Sequence, residues 1–517
     1  MEKFIRLILI STSVFVCTIF EASAQDFSDF ALQFGQRDLY GSARMLGTGG
    51  NHNALGGDLS AAAYNPAGLG FYTKSEAIIS PSINSLEATS NYLNRTTGEF
   101  KNPFNFANGG AVLNRSKANR SNGWNGGSWG FSFSRIGNFQ NQINYQGDNT
   151  TDDFIDYVVD DFNFGEGSEL SRLAFNTGIV GEFYDIFEEG ATTVLINGIE
   201  ENINDLYGSV SPGDTLFYVD RNIYDTSTGE LAFPNEMFPS SQGELINRTG
   251  AQYQTSIAYG GNYSDKFYFG ASLGLLSLRY ESERLFRELP SGADLERFTL
   301  TDNRLFTGAG VNGTFGVIVR PINEFSIGVS YTTPTYYFLE DESVLSAQAV
   351  YTNQATQSEV TNFLPVRIDL RTPSRLSGGI ALFLGKHGFV TADVEYIDYT
   401  NMKFSSNEFS MDFANQEIKE KYDATFNYNM GIEFRHNIFR LRGGYSHQGD
   451  PFADPGSLDR SRDAFTVGAG LRFQNYFIDA ALVHSEYQSS IGPYPGAPTA
   501  LVDNTSDNAV VTLGMKF

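Results

Sequence analysis

Two serines stand in the glycine frame of a nucleophile turn, Gly270-Ala271-Ser272-Leu273-Gly274 and Gly126-Gly127-Ser128-Trp129-Gly130. In a hydrolase that frame holds a serine Oγ exposed between a strand and a helix, where a histidine can take its proton. Here both serines lie in or beside runs that alternate as continuous strands, so the frame lacks the context the chemistry needs. Gly308-Ala309-Gly310-Val311-Asn312-Gly313 has the spacing of a dinucleotide loop, but no helix pattern follows it. The five histidines, His52, His387, His436, His447 and His484, show no paired helical spacing, so no zinc site is expected. Ligation of haem by a single one stays open; the plainer reading of each is an exposed turn or rim residue. Cys17 is the only cysteine. It lies in an apolar N-terminal run whose removal would leave no thiolate chemistry, disulfide or cysteine-bound metal. No ordered Ser/His/acid trio suggests a lipase. The expectation is a protein that is not an enzyme and holds no cofactor or metal.

Binding is the remaining chemistry. Arg320, Arg435, Arg440, Arg442, Arg472 and Lys516 fall on rows whose alternate residues are apolar. If those rows line a lumen, a guanidinium could receive a carboxylate head inside an apolar pocket. The competing reading is that these cations pair with acids such as Asp58 or Glu433 and seat a plug, since pairing is the default for partly buried charge. The acids of Asp152–Asp161 could offer oxygen ligands to a divalent cation, but calcium-loop spacing is missing. The formal net charge of −25 argues against a nucleic-acid partner, because phosphate recognition needs a basic face.

The elements that would carry these rows read as strands. At the C-terminal end Ala509, Val511, Leu513, Met515 and Phe517 alternate with Val510, Thr512, Gly514 and Lys516. Successive side chains of a strand point to opposite faces, so this strand has one wholly apolar face and ends on an aromatic. Similar alternation marks 323–338, 388–404, 422–435 and 463–473. Each apolar face covers about ten residues, the length of a tilted membrane strand. Glycine recurs on the opposite faces, which implies a crowded interior or close approach of other backbone. Further strands are expected near 76–86, 106–113, 128–140, 250–263, 266–282, 304–320, 364–384, 438–447, 476–488 and 508–517, the segment 364–384 being short or broken by Pro365 and Pro373. The total is fourteen, an even number.

Connections alternate in length. Tight links at Ser264-Asp265, Pro321-Ile322, 385–387, His436-Asn437 and Asn475 separate long ones at 283–303, 339–363, 405–421, 448–462 and 489–507. Short turns on one side and long loops on the other fit an outer-membrane barrel; the long link 114–127 departs from that rule. The composition agrees: 53 Gly, 27 Tyr and 44 Phe with only 41% hydrophobic residues suit strands facing lipid on one side and a polar lumen on the other. No later run reaches the ~20 apolar residues of a membrane helix. Lys3, Arg6, the apolar run Leu7–Phe20 and Ala22-Ser23-Ala24 read as a signal peptide over 1–24. The expected architecture is thus all-β: a transmembrane antiparallel barrel over 76–517, an N-terminal hatch over 25–75 and a large external insertion at 141–249.

The hatch carries the most specific motif. The run Ala54–Gly70, with Gly57-Asp58, Ser60, Ala61 and Asn65-Pro66-Ala67-Gly68-Leu69, resembles the hatch signature of the FadL/TodX family of outer-membrane hydrophobic-compound transporters. Leu441-Arg442-Gly443-Gly444-Tyr445 and Phe465–Phe473 resemble its closing strands; the insertion matches nothing in it. The resemblance implies a fourteen-stranded barrel plugged by the hatch, in the outer membrane of a Gram-negative bacterium. It implies uptake of a long-chain fatty acid or aromatic hydrocarbon, with loop capture, hatch movement and a kinked strand opening sideways into the membrane. Gly137 beside Asn138 is the candidate kink. Phe517 resembles the terminal aromatic read by the barrel-assembly machinery. Expected partners are the hydrophobic ligand, outer-membrane lipid and that machinery, and the chain is expected to act as a monomer. Within the insertion, Phe154, Tyr157, Val158 and Phe162 would expose an apolar capture groove on a helix whose acids face water. The same groove would serve a non-transporting barrel that docks a partner, for example within a secretion system.

Overall fold

The computed structural model describes residues 21–50, 52–115, 123–164, 167–185, 193–196, 199–202, 217–221, 224–225, 230–231, 240–290, 295–352, 354–454, 456 and 458–517. Fourteen antiparallel staves close a barrel. They are β1 (Glu76–Tyr92), β2 (Arg95–Lys101 with Phe104–Asn114), β3 (Trp124–Asn138 with Asn141–Asn149), β4 (Ser240–Tyr263), β5 (Phe267–Pro290) and β6 (Leu295–Ile322). Then come β7 (Phe325–Thr332 with Tyr336–Tyr351), β8 (Val366–Arg371 with Arg375–Phe383), β9 (Gly388–Asp398), β10 (Ala424–His436) and β11 (Phe439–Gln448). The last three are β12 (Arg462–Arg472), β13 (Tyr476–Ile491) and β14 (Ala500–Lys516). The first stave closes on the last in the register Ala77↔Met515, Ile83↔Ala509 and Asn91↔Leu501.

Lipid-facing and lumen-facing residues alternate along each stave. On β10, Phe426, Tyr428, Met430, Ile432 and Phe434 are exposed while Thr425, Asn427 and Glu433 are buried. The same exposed apolar face appears on β5, β6, β12, β13 and β14. A soluble monomer does not carry a band of that extent, so the surrounding solvent is hydrocarbon. No described helix is long and apolar enough to cross a membrane.

Several boundaries correct the sequence reading. β4, β5 and β6 run for 24, 24 and 28 residues, well past the ~10 that a bilayer requires. The expected link 283–303 therefore shrinks to 291–294, outside the described residues, and 489–507 shrinks to 492–499. The insertion expected at 141–249 begins and ends as strand: Asn141–Asn149 pairs with Ser240–Arg248, so the excursion is 150–239. Above the lipid both faces of a stave are wet, and apolar alternation, the signal used to find strands, disappears. The first external link, expected at 87–105, is a tight hairpin with Leu93 and Asn94 at positive φ. The link 114–127 narrows to 115–123, with 116–122 outside the described residues. β8 breaks at Thr372 to Ser374, next to Pro373, where the ring denies a ladder donor. The long link 405–421 ends in helix α4 (Asp412–Lys421).

Residues before β1 fill the lumen. Helix α1 (Glu21–Gly35) leads to a compact hatch of two one-turn helices and a 3-10 turn, Pro66–Phe71. α1 was not anticipated, although Phe27, Phe30, Ala31 and Phe34 have the i, i+3, i+4, i+7 spacing of a helical stripe. These residues pack on Phe139, Tyr280, Phe306 and Phe404 of the barrel interior. The expected signal peptide lies outside the described residues except for its last four.

Candidate functional site

The hatch holds itself together through its motif residues. Asn65, fully buried, donates through Nδ2 to Asn53 O at 2.7 Å, and its Oδ1 accepts from Ala67 N–H at 3.2 Å. Pro66 then starts the 3-10 turn, where its missing N–H costs nothing. Asp58 accepts from Ser42 Oγ at 2.8 Å and from Ser60 N–H at 3.0 Å. Gly57, at φ +71°, donates to Gly68 O, and its carbonyl accepts from Arg44 Nη1 at 2.8 Å. Ala67 and Gly68 are buried at the centre of this turn, and a Cβ on Gly68 would crowd Ala61.

The lumen wall is shaped to receive it. A Cβ on Gly270 would overlap Pro66, one on Gly316 would overlap Asn65 Oδ1, and one on Gly328 would overlap the Asn53 carbonyl. This close approach explains these three lumen-facing glycines, the first of them Gly270 of the serine-in-glycine frame; Gly274 of that frame instead makes room for Asn312 and Gln254 of the wall. Ser326 Oγ donates to Ala54 O, and Ser330 Oγ donates to Asn53 Oδ1 at 2.6 Å. His52 is fully buried against Asp393 of β9, with Nδ1 2.7 Å from Oδ2 and Nε2 2.6 Å from Thr48 O. The reading of His52 as a turn or rim residue is thereby corrected; it fastens hatch to wall. Among the described residues no group of three or more His, Cys, Asp or Glu could hold a metal ion.

The expected cations fall into two sets. Arg442 is buried between two carboxylates, with Nε 2.7 Å from Glu433 Oε2 and Nη1 2.7 Å from Asp479 Oδ1. Arg435 meets Glu433 at 2.7 Å, Arg472 meets Asp479 at 2.7 Å, and the hatch contributes Arg44, 3.8 Å from Glu433 and 3.9 Å from Asp58. Arg442, Arg435 and Arg472 thus stand in an ion-pair network that touches the hatch. Arg320 and Arg440 are not in it. Their guanidiniums donate to the turn carbonyls of Asn323 and of Asn437 and Phe439. Lys516 pairs with Glu76 at 3.6 Å, and none of the six cations lines either cavity described below.

Two cavities lie above the hatch, with α1 between them. The outer, of about 700 Å³, opens under the long loops and is lined by Tyr157, Leu170, Phe286, Leu300, Phe363 and Tyr494 among others. The inner, of about 520 Å³, is lined by Phe30, Leu39, Leu86, Phe139 and Tyr280 with a larger polar share. Asp29, Arg284, Asp302 and Arg304 border both. α1 is latched where it meets the loops: Lys421 Nζ lies 2.5 Å from Asp29 Oδ1, and Tyr422 Oη donates to Ser28 O at 3.1 Å.

The insertion corrects the expected groove. Helix α2 (Phe154–Phe164) buries Phe154 and Val158 completely against Phe286, Phe298 and Leu300 of the extended staves, with Tyr494 edge-on alongside. Phe162 is partly buried against Phe175 of α3 (Glu169–Asn176). Only Tyr157 of the four predicted residues reaches the outer cavity. The amphipathic face of α2 packs down on the wall because the staves themselves rise high enough to cover it. Asp156 on α2 is pushed up to about 6 by burial and by the neighbouring charges of Asp160 and Asp152.

The wall is interrupted between β2 and β3. Asn108–Asn114 pairs with Ser128–Ser134, but above this the ladder stops. The backbone of Arg95–Lys101 pairs only with β1 and that of Asn141–Asn149 only with β4, but side chains bridge the two: Thr97 Oγ1 donates to Asn144 O, the amides of Gln142 and Asn144 donate to Glu99, and Lys101 Nζ donates to Asn247 and to Arg248 O, so the slot lies below them, beside the β3 bulge. A bulge shifts the β3–β4 register between Gly137 and Arg135, and β3 breaks again at Phe139-Gln140. The irregularities fall at Ile136 and at Phe139-Gln140, on either side of the candidate pair Gly137 and Asn138, which stay in the strand. From inside, Asp38 spans this stretch: Asp38 N–H donates to Ile136 O at 2.9 Å, and its Oδ2 accepts from Asn138 N–H at 2.7 Å. On the lipid side Phe106, Phe133 and Tyr253 form an aromatic cluster beside the slot. Phe517 ends β14 with its ring 61% exposed, its backbone paired with Ser75.

Neither a family model nor a curated protein matches the chain. Solved structures do. A FadL homologue of Pseudomonas aeruginosa superposes with a TM-score of 0.52 at 12% identity, covering 93% of this chain and 99% of its own. The toluene transporter TodX of Pseudomonas putida gives 0.50 at 15% identity, with the same coverage of each chain. At these identities the likeness is one of fold: a closed fourteen-stranded barrel with the N-terminal segment inside it.

Proposed function

We propose that this chain is an outer-membrane channel of the FadL/TodX kind that takes up a hydrophobic small molecule, such as a long-chain fatty acid or an aromatic hydrocarbon. The observation that carries this reading is the series of outer cavity, inner cavity and wall slot, with removable segments between them. An apolar ligand enters the outer cavity beside Phe286, Leu300 and Tyr494. Release of the Asp29–Lys421 latch lets α1 move and joins the two cavities. Withdrawal of Asp38 from the β3 kink frees the slot, and the ligand passes between Phe133 and Phe106 into lipid. Sideways exit keeps an apolar molecule out of water and leaves the hatch network of Arg442, Glu433 and Asp479 in place. Phe517 serves the assembly machinery from the lipid-facing edge of the closing stave.

The docking alternative called for an exposed apolar face on the insertion. Among the described residues α2 buries that face, so the uptake reading is better supported. The test is organic extraction of the purified barrel followed by mass spectrometry. Recovery of one apolar molecule in near-stoichiometric amount supports uptake. An extract matching the bulk membrane lipids, from a barrel that binds no added apolar probe, supports docking.

A further inference from the structure

Two cations stand side by side on the outer face of the barrel. Arg371 of β8 is the backbone partner of Lys403 in the short strand Lys403–Ser405. Their chain neighbours Leu370 and Phe404 are buried inward, so both cationic side chains point outward, and both are exposed. Direct partners in an antiparallel pair lie about 5 Å apart at Cβ, and like charges so placed repel. Among the described residues neither side chain makes a hydrogen bond or an ion pair. Asp369 lies two residues further up the same strand face, roughly 7 Å away, and does not pair with Arg371. Arg367, next on that face, already has acids around it: Glu340 is its backbone partner, and its N–H donates to Glu408. Other basic side chains on the outer face of this acidic chain meet acids as well, Arg279 with Glu281 at 2.9 Å, His447 with Asp463 at 2.9 Å and His484 with Asp507 at 2.8 Å.

The pair marks the top of the lipid-facing wall. Tyr336 of β7, the partner of Arg371 on its other side, is exposed, and toward the tight turn at 385–387 the same two staves present Leu376 and Tyr396 to lipid. Aromatic residues at this level form the girdle at the lipid–water boundary. Arg371 and Lys403 therefore stand at the depth of the head groups of the outer leaflet. In a Gram-negative outer membrane that leaflet is built from a glycolipid whose sugar head carries phosphates.

We infer that Arg371 and Lys403 bind a phosphate of this outer-leaflet glycolipid, whose acyl chains lie along Tyr336, Leu376 and Tyr396. The planar guanidinium offers two parallel donors and the ammonium a point charge, so one phosphate between them replaces a repulsion with charge-assisted hydrogen bonds. A zwitterionic phospholipid brings its own cation to its phosphate and is the poorer occupant. The inference is independent of what passes through the lumen.

The experiment titrates diphosphoryl lipid A, and lipid A stripped of both phosphates, onto the purified full-length barrel in an uncharged detergent, with bound lipid counted by native mass spectrometry. EDTA is present so that no divalent cation bridges phosphate to acids such as Asp369. Wild type should bind the phosphorylated form at least ~10-fold more tightly, the scale of a charge-assisted hydrogen bond. Arg371→Gln/Lys403→Gln should lose that preference by weakening the phosphorylated form alone, while Arg279→Gln, whose guanidinium is already paired, should keep it. Heat-modifiable mobility on gels checks assembly, and Lys403→Gln alone carries the residue assignment if the double variant does not assemble. Equal binding of the two forms by wild type, an intact preference in the assembled double variant, or an equal loss in Arg279→Gln overturns the inference. Displacement of lipid A by phosphatidylglycerol at equal concentration, or by excess inorganic phosphate, also overturns it, since the site would then take any phosphate.

Discussion

Phe34→Ala should unlatch α1 without harming the barrel. Phe34 is buried where α1 crosses the lumen and packs edge-on against Phe139, Tyr280 and Phe306 at 5.4 to 5.6 Å between ring centres. Truncating a phenylalanine in such a setting costs about 3–5 kcal/mol. The staves do not depend on this ring for their ladders, so the cost falls on the seating of α1 rather than on the barrel. An extra 3–5 kcal/mol raises the population of displaced α1 by roughly a hundredfold to several thousandfold. Hydrogen exchange reads this directly. The amide of Gln36, bonded to Leu32 O at 2.9 Å, and its neighbours in 28–36 should lose protection by that factor, while β10 to β14 stay protected. Entry of a hydrophobic dye into intact cells should rise in parallel. Unchanged exchange in 28–36, with the variant assembled, would refute the partition role of α1. Equal loss of protection in the staves would refute its independence from the barrel.

Three further outcomes follow from named contacts. Glu433→Gln leaves buried Arg442 and half-buried Arg435 short of a carboxylate; breaking such a network costs about 3–5 kcal/mol, so the folded band on heat-modifiability gels should be lost at a lower temperature than in wild type. The raised value of Asp156, about 6, means that the seated α2 favours the neutral acid, so α2 is held best below the ordinary carboxylate range and loosens as pH rises through about 6. Limited proteolysis within 154–176 should therefore be faster at pH 8 than at pH 5 in wild type, and Asp156→Asn should remove the difference. Deleting Phe517 should lower the amount of assembled barrel in the membrane fraction; wild-type levels would count against its role as an assembly signal.

The lipid-facing half of this molecule was legible in the sequence, and the water-facing half was not. Strict alternation in β10, β12 and β14 reports a wall with hydrocarbon on one side, so those staves, the closing pair and the even count could be read. Once β4 to β7 rise out of the lipid, residues such as Glu283 and Arg287 replace the apolar face, and the upper parts of the strands pass for loops. The acidic helix α2 is legible as amphipathic, but its apolar side reads as facing solvent because the staves that cover it carry no apolar alternation of their own. The hatch motif marked the plug. The inward position of Arg135 was hidden, because alternation alone turns its side chain toward lipid. Only the bulge at Ile136 and the missing ladder to β2 bring it to the cavity.

Uptake measured at limiting ligand concentration tests the central claim most directly. Cells expressing the chain and cells carrying the empty vector would be given radiolabelled dodecanoate over a range of concentrations, alongside Asp38→Ala, which removes the side-chain bond of the hatch linker to Asn138 across the kink. A route through the lumen and out of the wall slot predicts saturable uptake above the vector rate, greatest in relative terms at the lowest concentrations, and faster still in Asp38→Ala. Identical rates for vector, wild type and Asp38→Ala at every concentration, with both proteins assembled in the membrane, would contradict it.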